Sequence, residues 1–144
     1  MNPKEYLEQV ARAEREIKIL SAKIAHYEEF GLSITSHFGD APVRASTPSS
    51  RVETAAIGVV DTLGEWNAKL GAYRAFIDKA EKLIDRIPQE RYREILKYRY
   101  LCQWDLQKVG AELQYRDRNS IYRAHGYALL AMKQVLEEAK DGEL

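Results

Sequence analysis

Apolar residues recur at alternating steps of four and three over two long stretches of the chain, and between and beyond them that rhythm stops. In the first stretch Tyr6, Val10, Ala13, Ile17, Leu20, Ile24 and Tyr27 fall on one stripe of a helix, the spacing of a coiled-coil seam. Asn2-Pro3-Lys4-Glu5 supplies its start, with an N-cap residue, a proline at the first helical position and a glutamate three residues after the cap. Gly31 offers the left-handed residue at which this helix is expected to stop.

The second stretch is the longest regular pattern in the chain: Val52, Ala56, Val59, Leu63, Trp66, Leu70, Tyr73, Ile77, Ala80, Ile84 and Ile87. Ser50 with Glu53 reads as a capping box at its start. A helix of that length spans on the order of 50 Å at 1.5 Å per residue. Its nearby partner with a matching stripe is the first helix, so residues 1–87 are predicted to form an antiparallel helical hairpin. Val59, Leu63, Trp66, Leu70, Tyr73 and Ile77 form its seam, facing either the first helix or a second copy of the chain.

Between the two helices, residues 31–50 lose the pattern into Gly, Pro, Ser and Thr, and Pro42 and Pro48 oppose a continuous helix. This stretch is predicted to be a long connector, either mobile or laid along the helices by Ile34, Phe38 and Val43. Gly58, Gly64 and Gly71 sit off the seam of the second helix. Each costs about 1 kcal/mol against alanine, which is either tolerated or repaid by close approach of another helix. Two hairpins packed as a four-helix bundle would supply that approach, so a homodimer is expected.

Ile87-Pro88 breaks the second helix, and helical spacing resumes from Gln89 to Leu101 through Tyr92, Ile95, Leu96 and Arg99. Pro88 is accordingly read as the boundary of a second module covering residues 88–136, with an acidic tail over 137–144. In that module a short pattern, Leu106, Val109, Gly110 and Leu113, follows Asp105 as its N-cap. After a polar turn, Asp117 caps a longer pattern whose inward stripe is Ile121, Ala124, Ala128, Leu129 and Met132. Two helices so joined are either an ordinary helical hairpin or a helix-turn-helix, in which one helix braces another that enters the DNA major groove.

Charge sharpens the second alternative. The chain of 144 residues balances 22 Lys and Arg against 22 Asp and Glu, so overall charge neither favours nor excludes a nucleic acid. From Arg91 to Lys133, however, nine Lys and Arg stand against Glu94, Asp105, Glu112 and Asp117. A reading helix docked by its amino-terminal end would present Arg118, Asn119, Ser120, Tyr122 and Arg123, with Arg116 in the turn. Arg118 suits a two-pronged contact to guanine and Asn119 one to adenine, while Arg116 and Arg123 suit phosphates. Arg123 has a rival role as a surface ion pair with Asp117 or the tail. Arg91, Arg93, Lys97, Arg99 and Lys108 are candidates for phosphate contact, or simply a solvated helix face.

Other chemistry has little foundation. His26, His37 and His125 lack partners at metal-ligand spacing, and His125 is expected to face a phosphate or solvent. Cys102 has no companion thiol, and no amino-terminal apolar run reads as a leader or a membrane span, so a reducing cytoplasm is expected. Phosphate-cradling glycine loops, HExxH and a nucleophile elbow are missing, so neither an enzyme nor a cofactor, metal or small-molecule substrate is expected. Trp66 and Trp104 read as packing residues.

The segment Ile87-Pro88-Gln89-Glu90-Arg91-Tyr92-Arg93-Glu94-Ile95-Leu96-Lys97-Tyr98-Arg99-Tyr100-Leu101, continued by Asp105 to Lys133, resembles sigma factor region four. The whole layout resembles the ArpU/RinA-like group of small phage-encoded transcriptional regulators, most specifically over Ile121-Tyr122-Arg123-Ala124-His125-Gly126-Tyr127-Ala128-Leu129. That resemblance implies an all-α chain in the cytoplasm of a bacterial host that binds double-stranded DNA at a promoter region, activates late or packaging-related phage or prophage genes, and touches host RNA polymerase, for which Arg91, Arg93, Lys97, Arg99 and Lys108 are candidates. Two other roles suit the same outline: a small terminase-like packaging protein that forms rings, and an adaptor that holds polymerase without DNA. The chain departs from the family turn in carrying Gln114 at the usual glycine, Asp117 at the cap, and one extra residue between Leu113 and Ile121. A longer turn can relieve the need for a left-handed glycine there.

Overall fold

A computed structural model describes residues 2–39 and 47–142. Five α-helices follow in order: α1 (Pro3–Gly39), α2 (Thr47–Ile84), α3 (Glu90–Leu96), α4 (Leu106–Glu112) and α5 (Arg118–Gly142). A π-helical turn over Lys97–Leu101 continues α3, and there is no strand among the described residues. None of these helices is long and apolar enough to cross a membrane.

Asn2 caps α1 as its sequence predicts, its Oδ1 accepting from the Lys4 amide at 2.9 Å. Gly31 does not end the helix: α1 runs on to Gly39, and no described glycine has a positive φ. The physical reason lies across the hairpin. A Cβ on Gly31 would stand 3.1 Å from Val59 Cγ1, so glycine serves close packing there rather than a left-handed cap. The connector is correspondingly shorter than 31–50. Thr47–Ser50 already belong to α2, Pro48 sits in its first turn where a missing N–H is tolerated, and Ser50 is inside the helix instead of capping it. Val43 and the side chains of Ile34 and Phe38 lie outside the described residues.

The chain divides into two compact units, Met1–Arg15 with Ala75–Leu144, and Glu16–Arg74. In the second unit α1 and α2 pack antiparallel through the predicted seam. Leu20, Ile24 and Leu70 are buried, with Ile17, Leu63, Trp66 and Tyr73 packed around them. Trp66 meets the Tyr27 ring edge-on at 5.1 Å and carries Lys23 Nζ 4.5 Å from its centre. The seam is thus satisfied within one chain. Ala56 is exposed, Val59 and Leu63 are half-buried, and a Cβ on Gly58, Gly64 or Gly71 would meet nothing within 4 Å.

The first unit is built on a larger core. The first turns of α1 and the last turns of α2 again run antiparallel, with Tyr6 edge-on to Phe76 at 5.7 Å. Leu7, Leu83, Ile84 and Ile87 then join Ile95, Leu96 and Tyr100, Leu106 and Val109, and Ile121, Ala124, Ala128, Met132 and Val135 in one apolar cluster. Ile77 and Ala80 are buried in this unit too. Pro88 therefore falls inside the unit, in a turn that keeps Ile87 fully buried. Leu7, off the predicted seam, is fully buried because its helix end serves both α2 and the carboxyl-terminal helices.

Candidate nucleic-acid interface

The predicted bracing and reading helices form where their caps place them. Asp105 takes an extended conformation and its Oδ1 accepts from the Lys108 amide at 2.8 Å, starting α4. Asp117 Oδ1 accepts from the Ser120 amide at 2.7 Å, starting α5. That backbone bond, then the Ser120 hydroxyl, hold the Asp117 carboxyl below its ordinary range, and nearby Arg123 adds to the effect. Val109 and Gly110 of α4 pack on Ile121 of α5, and a Cβ on Gly110 would stand 3.2 Å from both Ile121 Cβ and Cγ2. Glycine sets the spacing of the two helices at that point.

The extra turn residue does not remove the left-handed position. Gln114 adopts φ 64°, the Tyr115 amide donates to the Gly110 carbonyl at 2.8 Å, and the Gln114 amide donates to the Ala111 carbonyl at 3.3 Å. This is the Schellman pattern, in which the residue after the helix end turns left-handed so that orphan carbonyls find donors. The geometry demands that conformation whichever residue supplies it, and here glutamine bears the strain.

Of the predicted reading residues, Arg116, Arg118, Asn119, Tyr122 and Arg123 are exposed together at the amino-terminal end of α5 and the turn before it. Ser120 is half-buried, with its amide spent on Asp117. The Arg118 guanidinium lies 5.4 Å from the Tyr122 ring centre, and its Nη2 reaches the Tyr122 hydroxyl at 3.5 Å. This stacking presents a planar donor fork beside an aromatic face. The far end of the same helix carries Glu137, Glu138 and Asp141, so α5 begins basic and ends mostly acidic.

The second group of candidates is engaged inside the chain. Arg93 Nη1 donates to the carbonyls of Ile87 and Pro88, at 2.5 and 3.1 Å, satisfying the turn that follows α2. Lys97 pairs with Asp85 at 2.7 Å, and Arg99 Nη1 donates to the Trp104 carbonyl at 3.3 Å. Lys108 Nζ lies 4.2 Å from the centre of Trp104, whose ring is stacked on Tyr98 at 4.5 Å. Arg91 Nη1 donates to the Leu113 carbonyl, and its guanidinium lies 5.4 Å from the centre of the Tyr115 ring.

Two residues hold positions that sequence reasoning missed. His125 faces inward rather than toward solvent, its Nε2 2.9 Å from the Tyr100 hydroxyl. Burial, with Arg99 and Lys4 nearby, pushes the imidazole down to about 4, and burial pushes the Tyr100 phenol up to about 12. Gln103, after the π turn, takes φ 63° and sends Nε2 to the Ala11 carbonyl of α1 at 2.8 Å. The signals were faint: His125 stands one residue from Ala124 on the inward stripe, and nothing local marks Gln103. Among the described residues no cluster of His, Cys, Asp or Glu could hold a metal ion.

Compared with known family models, with curated proteins and with solved structures, the chain matches none.

Proposed function

We propose that the chain is a sequence-specific DNA-binding regulator of transcription, with α4 as the brace and α5 as the reading helix. The observation that carries this reading is the group Arg116, Arg118, Asn119, Tyr122 and Arg123, exposed on the amino-terminal end of a helix that α4 holds through the Gly110–Ile121 contact. Guanidinium and amide groups at that place suit major-groove base edges and flanking phosphates. Regulation of phage or prophage genes, and contact with host RNA polymerase, are proposed from the resemblance of the last fifty or so residues to that regulator group.

The proposal includes a homodimer, since two reading helices on a two-fold axis would address paired half-sites. The seam of α2 is occupied by α1, so the second copy would use outward residues of the hairpin such as Ile57 and Val60, both more than half exposed. The small core of this unit leaves such apolar surface uncovered.

The test is to sequence sheared source-genome DNA retained by the purified protein at physiological salt, beside an Arg118→Ala/Arg123→Ala variant. Enrichment of one or a few sites, lost in the variant, is the expected result. Unchanged specific affinity in the variant overturns the reading face. Native mass accompanies it: a dimer agrees with the regulator, and a ring of many copies with a packaging protein.

A further inference from the structure

The turn between α4 and α5 is held from outside as well as by its own hydrogen bonds. Arg91, in the first turn of α3, donates from Nη1 to the Leu113 carbonyl at 2.5 Å and lays its guanidinium against Tyr115. Leu113 and Tyr115 flank Gln114, the left-handed residue on which the direction of the chain out of α4 depends. Arg91 therefore grips the turn on both sides of its most strained position. Its surroundings argue against a second role, because the cleft beside it is lined by Glu90, Glu94 and Glu112. A phosphate approaching Arg91 would meet three carboxylates, whereas the cleft at Arg116 and Arg118 is lined by one, Asp117.

We infer that Arg91 is a positioning residue, an external brace that fixes the α4–α5 turn and with it the angle of the reading helix, and not a phosphate ligand. The brace stands on the geometry alone, and its consequence for DNA rests on the proposed function. Lysine cannot replace arginine here. A single ammonium lacks the planar fork that bonds a carbonyl with one edge while stacking on a ring.

The test uses the full chain with Arg91→Ala and Arg91→Lys. Amide hydrogen exchange at Gln114 and Tyr115, whose N–H groups close the turn, is expected to quicken about tenfold in both variants, with Ala128 and Met132 unchanged. On the retained DNA site, specific affinity is expected to fall about tenfold in both variants while non-specific affinity and the salt slope stay as in the wild type. A slope shallower by about 0.9, with affinity restored by lysine, would instead make Arg91 a phosphate ligand and overturn the inference. Unchanged exchange at Tyr115 overturns the brace, and quickened exchange with unchanged specific affinity overturns its positioning role. If the wild type retains no DNA, the proposed function fails and exchange alone judges the brace.

Discussion

Gln114 and His125 each hold a conformation or charge state that a different residue would hold at less cost. At φ 64° a side chain is strained and glycine is not, so Gln114→Gly is expected to raise stability by about 0.5–1 kcal/mol, read by urea unfolding. A loss would mean that the glutamine side chain makes a compensating contact. His125 ties stability to pH. Its imidazole titrates at about 4 in the folded chain and near the ordinary 6.5 when unfolded. Above pH 6.5 it is neutral in both states and its contribution is whole. As pH falls from 6.5 to 4 the unfolded chain takes up a proton that the folded chain refuses, and stability drops, by about 1–2 kcal/mol after solvent screening of this half-buried group, levelling below 4. His125→Gln should remove that portion of the pH dependence. If the stability profiles of the two proteins between pH 4 and 6.5 are parallel, the imidazole is not buried as described.

Helix boundaries were legible where the determining residues are local and illegible where they are distant. Asp105 and Asp117 each cap with a side chain that bonds an amide three residues on, so both short-range signals could be read directly. The inward stripe of α5 was readable for the same reason. Gly31 could not be read in this way, because a cap glycine and a packing glycine look alike until Val59, far along the chain, is brought beside it. The π turn at Lys97–Leu101 likewise leaves no mark on a helical spacing pattern, yet it places Tyr100 in the core next to His125. The glycines of α2 separate the alternatives experimentally. Gly64→Ala and Gly71→Ala add a methyl into open space and gain helix propensity, so each should stabilise the chain by about 0.5–1 kcal/mol. A destabilisation that grows with protein concentration would place a second copy against that face. By contrast, Gly110→Ala pushes on Ile121 at a branched carbon and should cost about 1–2 kcal/mol, net of propensity, with weaker DNA retention.

For the chain as a whole, the core of the first unit draws on residues from both ends of the sequence. Leu7, Leu83 and Ile84 lie in the same cluster as Ile121 and Met132, so a fragment beginning at Pro88 lacks part of its own interior. Such a fragment is expected to show no cooperative thermal unfolding. Replacing residues 16–74 by a short glycine-rich linker removes nothing from that cluster and should leave the carboxyl-terminal helices folded, with Ala128 and Met132 amides still protected. Cooperative folding of the Pro88 fragment would refute this division. The basic beginning and mostly acidic end of α5 have a different consequence. The helix is about 37 Å long at 1.5 Å per residue, in a chain whose formal charge sums to zero. The chain thus has almost no monopole with which to be drawn toward a polyanion, but α5 carries opposite charges at its two ends, and a polyanion would turn that helix. Its encounters would gain little speed from low ionic strength, while a larger share of them would begin with the arginine end leading.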